Sequence, residues 1–288
     1  MCRLSRGSTS KALTLASGLV NRGIETVLGI VRARMTASRL PGKVLMEALD
    51  RPLLMHMVDR LGACRLIKKV VVATTSEASD NPIEAFCRAE GIEVFRGSTN
   101  DVLDRIYRCA KAYDSEHAAL LGADNPLIDP GVCEEVIGAY LSDGKPYDYV
   151  SNHHPPTYPD GQDIEVFRVS ALEEAWREAD RPFQREHVTP FIWDQPDRFR
   201  CHNVALDQDR HNERWTLDYE EDYVLIRRII EGLYAEKPGF TMLDIVDFLD
   251  RHPELRGVNS EHSGYTWYDE SRAELTTVFE DDTEKREQ

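Results

Sequence analysis

Cysteine is the first thing this 288-residue chain has little of. The six present (Cys2, Cys64, Cys87, Cys109, Cys133 and Cys201) are widely scattered, with no C-x-x-C pair. That spacing argues against a zinc site or a disulfide framework and fits the reduced thiols of a cytoplasmic protein. Positive charge is also scarce: 35 Lys and Arg face 51 Asp and Glu, for a formal net charge of -16. No general basic field exists to draw in a nucleic acid or an anionic membrane surface, so both are excluded as partners. No apolar run is long enough to span a bilayer. Internal repeats and low-complexity linkers are missing too. Acidic residues are missing before Glu25, where Arg3, Arg6, Lys11 and Arg22 stand among Ser and Thr. Residues 1–24 are read as a flexible N-terminal extension, an extended start or tail rather than a transit presequence.

What is present is enough apolar material for a sizeable core, 41% hydrophobic and 8% aromatic. From Val27 onward, short apolar runs alternate with helical periodicity. The runs Val27–Val31, Lys69–Thr74, Ile92–Phe95 and His117–Gly122 read as buried strands. Helices are expected from Pro52 to Gly62, from a cap at Asp80 to Glu90 with Gly91 closing it, and from Asp101 to Tyr113. Asp129 is expected to cap a further helix at Pro130. This rhythm predicts an α/β fold with a mostly parallel sheet covered on both faces. Beyond Tyr147 the pattern changes. Strands at Tyr147–Ser151, Gln162–Arg168 and near Arg200–Ala205, with a helix at Ala171–Ala179, read as an excursion from the parallel core. An amphipathic helix from Tyr219 to Leu233 ends a main domain over 25–235. Residues 236–288 form a C-terminal helical extension, with a helix from Met242, and an acidic tail.

Against the acidic background, one loop stands out. The strand at Val27 breaks into ARMTASRLPGK, which carries Arg34, Arg39 and Lys43 around the turn Pro41-Gly42. Two planar guanidinium forks and one mobile ammonium beyond a strand end suit a polyphosphate; a surface loop that is basic by chance is the plain alternative. Asp124 follows the strand His117–Gly122, where open parallel sheets place their ligands. It also fits an Asx turn ahead of Pro126. Asp218 follows a strand-like RWTL, yet D-x-x-E at 218–221 also fits a capping box. Two carboxylates brought close repel unless a cation lies between them, and Mg²⁺ carrying nucleotide phosphates is such a cation.

These segments resemble a known family. ARMTASRLPGK, VVATTS, FRGSTNDVLDRIYRCA, GADNPLIDP, YVSN, TYPDGQDIEVF, REHVTPFIW and RWTLDYEEDYVLIRRI occur in the order found in cytidylyltransferases that activate acidic sugars. The likeness is greatest to the branch typified by spore coat polysaccharide biosynthesis protein F, and it extends to 3-deoxy-manno-octulosonate and acylneuraminate cytidylyltransferases. It covers Val27 to Leu233. One departure is that Leu120-Leu121-Gly122-Ala123 precedes Asp124, where that branch often has Arg-(Ile/Leu)-Thr.

The resemblance implies a three-layer α/β/α, Rossmann-like nucleotidyltransferase fold. It implies CTP as substrate, Mg²⁺ as cofactor, an acidic small-molecule acceptor and a homodimer in which segment 150–205 serves the acceptor and the interface. Arg34, Arg39 and Lys43 would hold the triphosphate, and Asp124 and Asp218 the metal. Thr74, Arg96, Asn100 and Asp101 would face cytosine and ribose. Arg105 would add a phosphate or base contact, with a surface ion pair as the alternative. Tyr158, Gln162, Asp163, Glu165, Arg185 and His187 are acceptor-side candidates, with Arg185 equally able to serve a structural ion pair. His153-His154 reads as solvent-exposed, and Trp176, Trp193 and Trp215 as core or subunit contacts. The competing functions are a nucleotide-sugar-dependent glycosyltransferase, which would want a D-x-D motif where Asp124-Asn125-Pro126 stands, and a non-catalytic nucleotide-binding subunit.

Overall fold

A computed structural model describes residues 26–142, 147–263 and 274–277. The N-terminal extension and the end of the acidic tail lie outside these residues. Nine strands occur among them: β1 (Val27–Arg32), β2 (Glu47–Ala48), β3 (Arg51–Pro52), β4 (Ile67–Thr75), β5 (Glu93–Gly97), β6 (His117–Gly122), β7 (Tyr149–Ser151), β8 (Glu165–Arg168) and β9 (Cys201–Asn203). The helices are α1 (Leu53–Gly62), α2 (Asn81–Ala89), α3 (Val102–Ala112), α4 (Pro130–Tyr140), α5 (Val169–Glu178), α6 (Pro182–His187), α7 (Pro190–Trp193), α8 (Glu220–Leu233), α9 (Met242–Arg251) and α10 (Pro253–Arg256).

Seven strands make one sheet in the order β5-β4-β1-β6-β8-β7-β9, and β2-β3 form a small hairpin. The strands β5, β4, β1 and β6 run parallel, while β8 is antiparallel to both β6 and β7. The continuous apolar runs are explained by this: β1 and β6 are buried on both faces by helices, giving a three-layer α/β/α domain. One face packs under α3, α5, α6 and α7, the other under α1, α2 and α4. A third apolar cluster joins α8 and α9 to Leu53, Tyr158 and Trp215. Trp193 is buried in the first core and Trp176 packs against it, so all three tryptophans are core residues.

Segment 150–205 differs from its reading as an excursion. Its three short strands complete the main sheet, β8 pairing directly with β6. Strands of three or four residues carry too little alternation to reveal their partner. RWTL is not a strand either; only Arg214 bridges to Asp160. Asp129 does cap α4, accepting from Gly131 N at 2.7 Å. Asp80 does not cap α2 with its side chain. Its carboxylate instead accepts from Met35 N (2.7 Å), Thr74 Oγ1 (3.0 Å), Thr75 N (3.1 Å) and Thr75 Oγ1 (2.5 Å).

Candidate active site

The chain folds outward from β1 toward β4 and β5 on one side and toward β6 on the other. The crevice where strand order reverses, beyond the carboxyl ends of β1 and β6, is where open α/β sheets bind ligands. The basic loop leaves β1 here. It is closed by Gly42 N donating to Met35 O (2.8 Å) and anchored by Met35 N on Asp80. Gly42, at φ 77°, allows the turn that starts the short 3-10 segment Lys43–Leu45.

Lys43 is 7% exposed, and its ammonium sits between the two predicted acids. Nζ donates to Asp218 Oδ1 at 2.8 Å, to Leu217 O at 2.6 Å and to Asp124 Oδ2 at 3.3 Å. Arg39 Nη1 donates to Asp218 Oδ2 at 2.5 Å. One backbone and one side-chain contact put the acids side by side: Leu217 N donates to Asp124 O at 2.8 Å, and Thr216 Oγ1 donates to Asn125 Oδ1 at 3.1 Å. Gly122 also has a steric role, because a Cβ there would overlap the Asp124 carboxylate. Burial disfavours the charged form of Asp218, but Lys43 and Arg39 outweigh it and hold that carboxyl below the usual carboxylate range.

Behind Asp218 lies a buried support that sequence reasoning missed. Asp222, fully buried, accepts from the backbone N of Asp218 (2.8 Å) and of Tyr219 (2.9 Å). Asp222, rather than Glu221, thus ties down the start of α8, and the Asp218–Glu221 capping box is not formed. Arg214 grips Asp222 through Nε and Nη2, both at 2.9 Å, and reaches Asp160 at 3.0 Å. Asn259 donates to Asp222 Oδ1 at 2.8 Å. Asp160 is pushed up to about 6, by burial and by Asp124, Asp222 and Asp218, with Arg214 opposing. Asp163 is raised well above the ordinary range by burial and then by Asp160. Gly161 between them, at φ 105°, lets the loop press on Trp215 and Thr216, whose backbone atoms would lie 2.7–2.8 Å from a Cβ.

Several other candidates are held by the fold rather than presented to the cleft. Thr74 is fully buried on Asp80. The Arg96 guanidinium locks the turn after β4, bonding Thr75 O, Glu77 O, Asn81 and Glu84. Asp101 caps α3 through Asp104 N (2.8 Å) and accepts both Nε and Nη2 of Arg185, so the Arg185 ion pair is structural. Gln162 is fully buried between Asp129 N and Leu127 O, and Tyr158 is bonded to Glu135. Asn100 is exposed ahead of α3, and Arg34 is exposed beyond β1. Arg105 forms no surface pair, being 3% exposed.

His153 and His154 are half-buried rather than exposed. With Glu165 they bring ligand atoms within 4.8 Å of one another, a second place a cation could be held. Glu165 is already bonded by Tyr149 Oη (2.7 Å) and Thr189 Oγ1. Burial lowers the pKa of both histidines, and His187 is pushed down to about 4 by burial and by Arg32.

A three-layer α/β domain whose switch-point crevice gathers a basic loop and two carboxylates is that of a nucleotidyltransferase. The cytidylyltransferase family profile matches residues 28–238, and the chain belongs to that family. It is 34% identical over 236 residues to an uncharacterized protein of Methanocaldococcus jannaschii, covering 81% of this chain and 94% of that one. It is 30% identical over 241 residues to the spore coat polysaccharide biosynthesis protein SpsF of Bacillus subtilis, covering 79% and 95%. The structure of a cytidylyltransferase from Leptospira borgpetersenii superposes with a TM-score of 0.77 at 29% identity, covering 85% of this chain and 99% of that one. Among the described residues no helix is long and apolar enough to cross a membrane.

Proposed function

We propose that this cytidylyltransferase transfers CMP from CTP to an acidic sugar or related acid, a 2-keto sugar acid or a phosphorylated acid, releasing pyrophosphate. The product would be an activated precursor for a surface polysaccharide or glycan, in keeping with the SpsF relative. The observation that carries the reading is Lys43, whose single ammonium joins Asp124 and Asp218 at the crevice. Both acids keep an open edge, 34% and 29% exposed. Two carboxylates converging on one point, with room for water and phosphate oxygens, fit Mg²⁺. Asp124 and Asp218 would hold it, and the ion would neutralise charge on the phosphates. Without it, Lys43 offsets the repulsion between the two acids.

Arg34, Arg39 and Lys43 would line up the triphosphate, with Asn100 on the side of the base and ribose. The acceptor oxygen attacks the α-phosphorus in line and pyrophosphate departs. Positioning and charge neutralisation therefore account for the rate, with no nucleophile needed from the protein. Asp163, Glu165 and His187 would face the acceptor. A homodimer in the cytoplasm belongs to the same reading, and light scattering tests the dimer.

The test is pyrophosphate release from CTP, UTP, GTP and ATP with Mg²⁺, against a panel of 2-keto sugar acids and phosphorylated acids. Release is expected with CTP and at least one acid. Tight CTP binding with no release from any pair would overturn the reading, and sugar transfer from a nucleotide sugar would favour a glycosyltransferase.

A further inference from the structure

Arg32 ends β1 at the centre of the sheet, with Ala73 and Gly122 as its strand neighbours. It continues the alternation of Leu28 and Ile30, which face the core beneath α3, α6 and α7. On that face its charge acts on His153, on His187 of α6 and on Arg105 of α3. Among the described residues, no hydrogen bond or ion pair forms on the guanidinium of Arg32.

Arg105 is the stranger of the two. It is 3% exposed, its Nη1 donates to Ser98 O at 2.8 Å, and its Nε has no partner among the described residues. Its stem crosses Gly97 so closely that a Cβ there would lie 2.9 Å from Arg105 Cγ. Burial, then Arg32 and Arg34, pushes its pKa down to about 10. Of the acids that offset this, Asp80 is bound by backbone and hydroxyl donors, and Glu186 is exposed. A buried guanidinium with an unsatisfied donor, set among like charges, is costly unless something arrives to satisfy it. His153 and His187 feel the charge of Arg32, and burial disfavours the charged form of both.

We propose that Arg32 and Arg105, flanked by His153 and His187, form a second anion pocket that receives a phosphate or phosphonate group carried by the acceptor. Two guanidiniums without a carboxylate partner among the described residues match a dianion; a lone carboxylate would leave one charge unbalanced. The pocket adjoins the nucleotide clamp, since the charge of Arg34 also acts on Arg105, but it differs from it in pairing: Lys43 and Arg39 engage Asp124 and Asp218, whereas Arg32 and Arg105 engage no carboxylate among the described residues. The inference rests on the CTP-dependent reading above and narrows its acceptor to a phosphorylated or phosphonylated compound.

The test is titration of the full chain with inorganic phosphate, with and without saturating CTP and Mg²⁺, and with acetate as control. Wild type should bind phosphate in the presence of CTP and prefer it to acetate. Arg32→Gln should weaken phosphate at least tenfold and leave CTP affinity within twofold, with an unliganded Tm equal to or above that of wild type. Arg105→Lys, which keeps the charge but loses the fork, should weaken phosphate as well. Undetectable phosphate binding, binding indifferent to Arg32→Gln, or acetate binding as tightly would overturn the proposal. So would displacement of phosphate by CTP with both affinities falling together in Arg32→Gln, since the guanidiniums would then serve the nucleotide. Failure of the underlying reading has a different signature: wild type would not bind CTP, and phosphate binding would still report on the pocket.

Discussion

Two groups of cations lie within one crevice and are treated in opposite ways. Lys43 and Arg39 are neutralised on the spot by Asp124 and Asp218, backed by the Arg214–Asp222 pair. Among the described residues, Arg32 and Arg105 have no carboxylate partner, and Arg105 Nε has no hydrogen-bond partner. A neutralised clamp is stable on its own and can exchange its internal cation for a ligand's. An unbalanced pocket is stable only because the surrounding core over-determines it, and it gains most when an anion enters. The contrast separates residues that build the crevice from residues that wait for a ligand.

The largest effect should come from the support of the clamp. Arg214→Leu strips the fully buried Asp222 of its bidentate partner, and denaturant unfolding should show a loss of about 3–5 kcal/mol. Next come the clamp residues. Lys43→Ala, Asp124→Ala and Asp218→Ala should each lower the rate of pyrophosphate release ~10²–10³-fold, roughly 3–4 kcal/mol, with the fold intact by circular dichroism. Near-normal turnover in Asp218→Ala at saturating Mg²⁺ would remove that carboxylate from the clamp.

A smaller effect concerns Asp160. Its carboxyl stands at about 6 when folded against 3.8 ordinarily, so the folded state holds a proton the unfolded state has released. Its contribution is complete below pH 4 and is lost as pH rises through about 6. Asp160→Asn should therefore gain on wild type between pH 4 and 7, by of order 1 kcal/mol given that its side chain is 36% exposed. A ΔTm independent of pH would mean that Arg214 neutralises Asp160 fully. The smallest effect sharpens the contrast most. Arg32→Gln should raise unliganded stability by only a few tenths of a kcal/mol, where a paired arginine would lose stability.

The clamp was legible in sequence because its cues are local. A basic loop leaves an apolar strand, and an acid stands at the end of another. The parallel half of the sheet was legible for the same reason: long buried strands announce themselves by apolar runs. The rest depended on distance. Arg185 and Asp101 are 84 positions apart, and nothing near either one signals that they pair. Gln162 and Tyr158 look like polar residues in a substrate loop, yet burial turns them into fasteners. Arg32 was overlooked because it reads as the tail of a strand. Asp222 was overlooked because a neighbouring glutamate fits the expected spacing better than an aspartate one residue on. An unsatisfied guanidinium has no sequence signature; only burial creates it.

Asn259 carries one last consequence. It lies twenty-one positions past residue 238, where the family match ends, yet it is buried against both Asp222 and Arg214, donating to a carboxylate and a carbonyl. The stretch matched by the family and the working module thus have different borders. Anyone grafting the domain by its recognised limits would transplant every clamp residue and still leave behind the bolt that holds Asp218 in register.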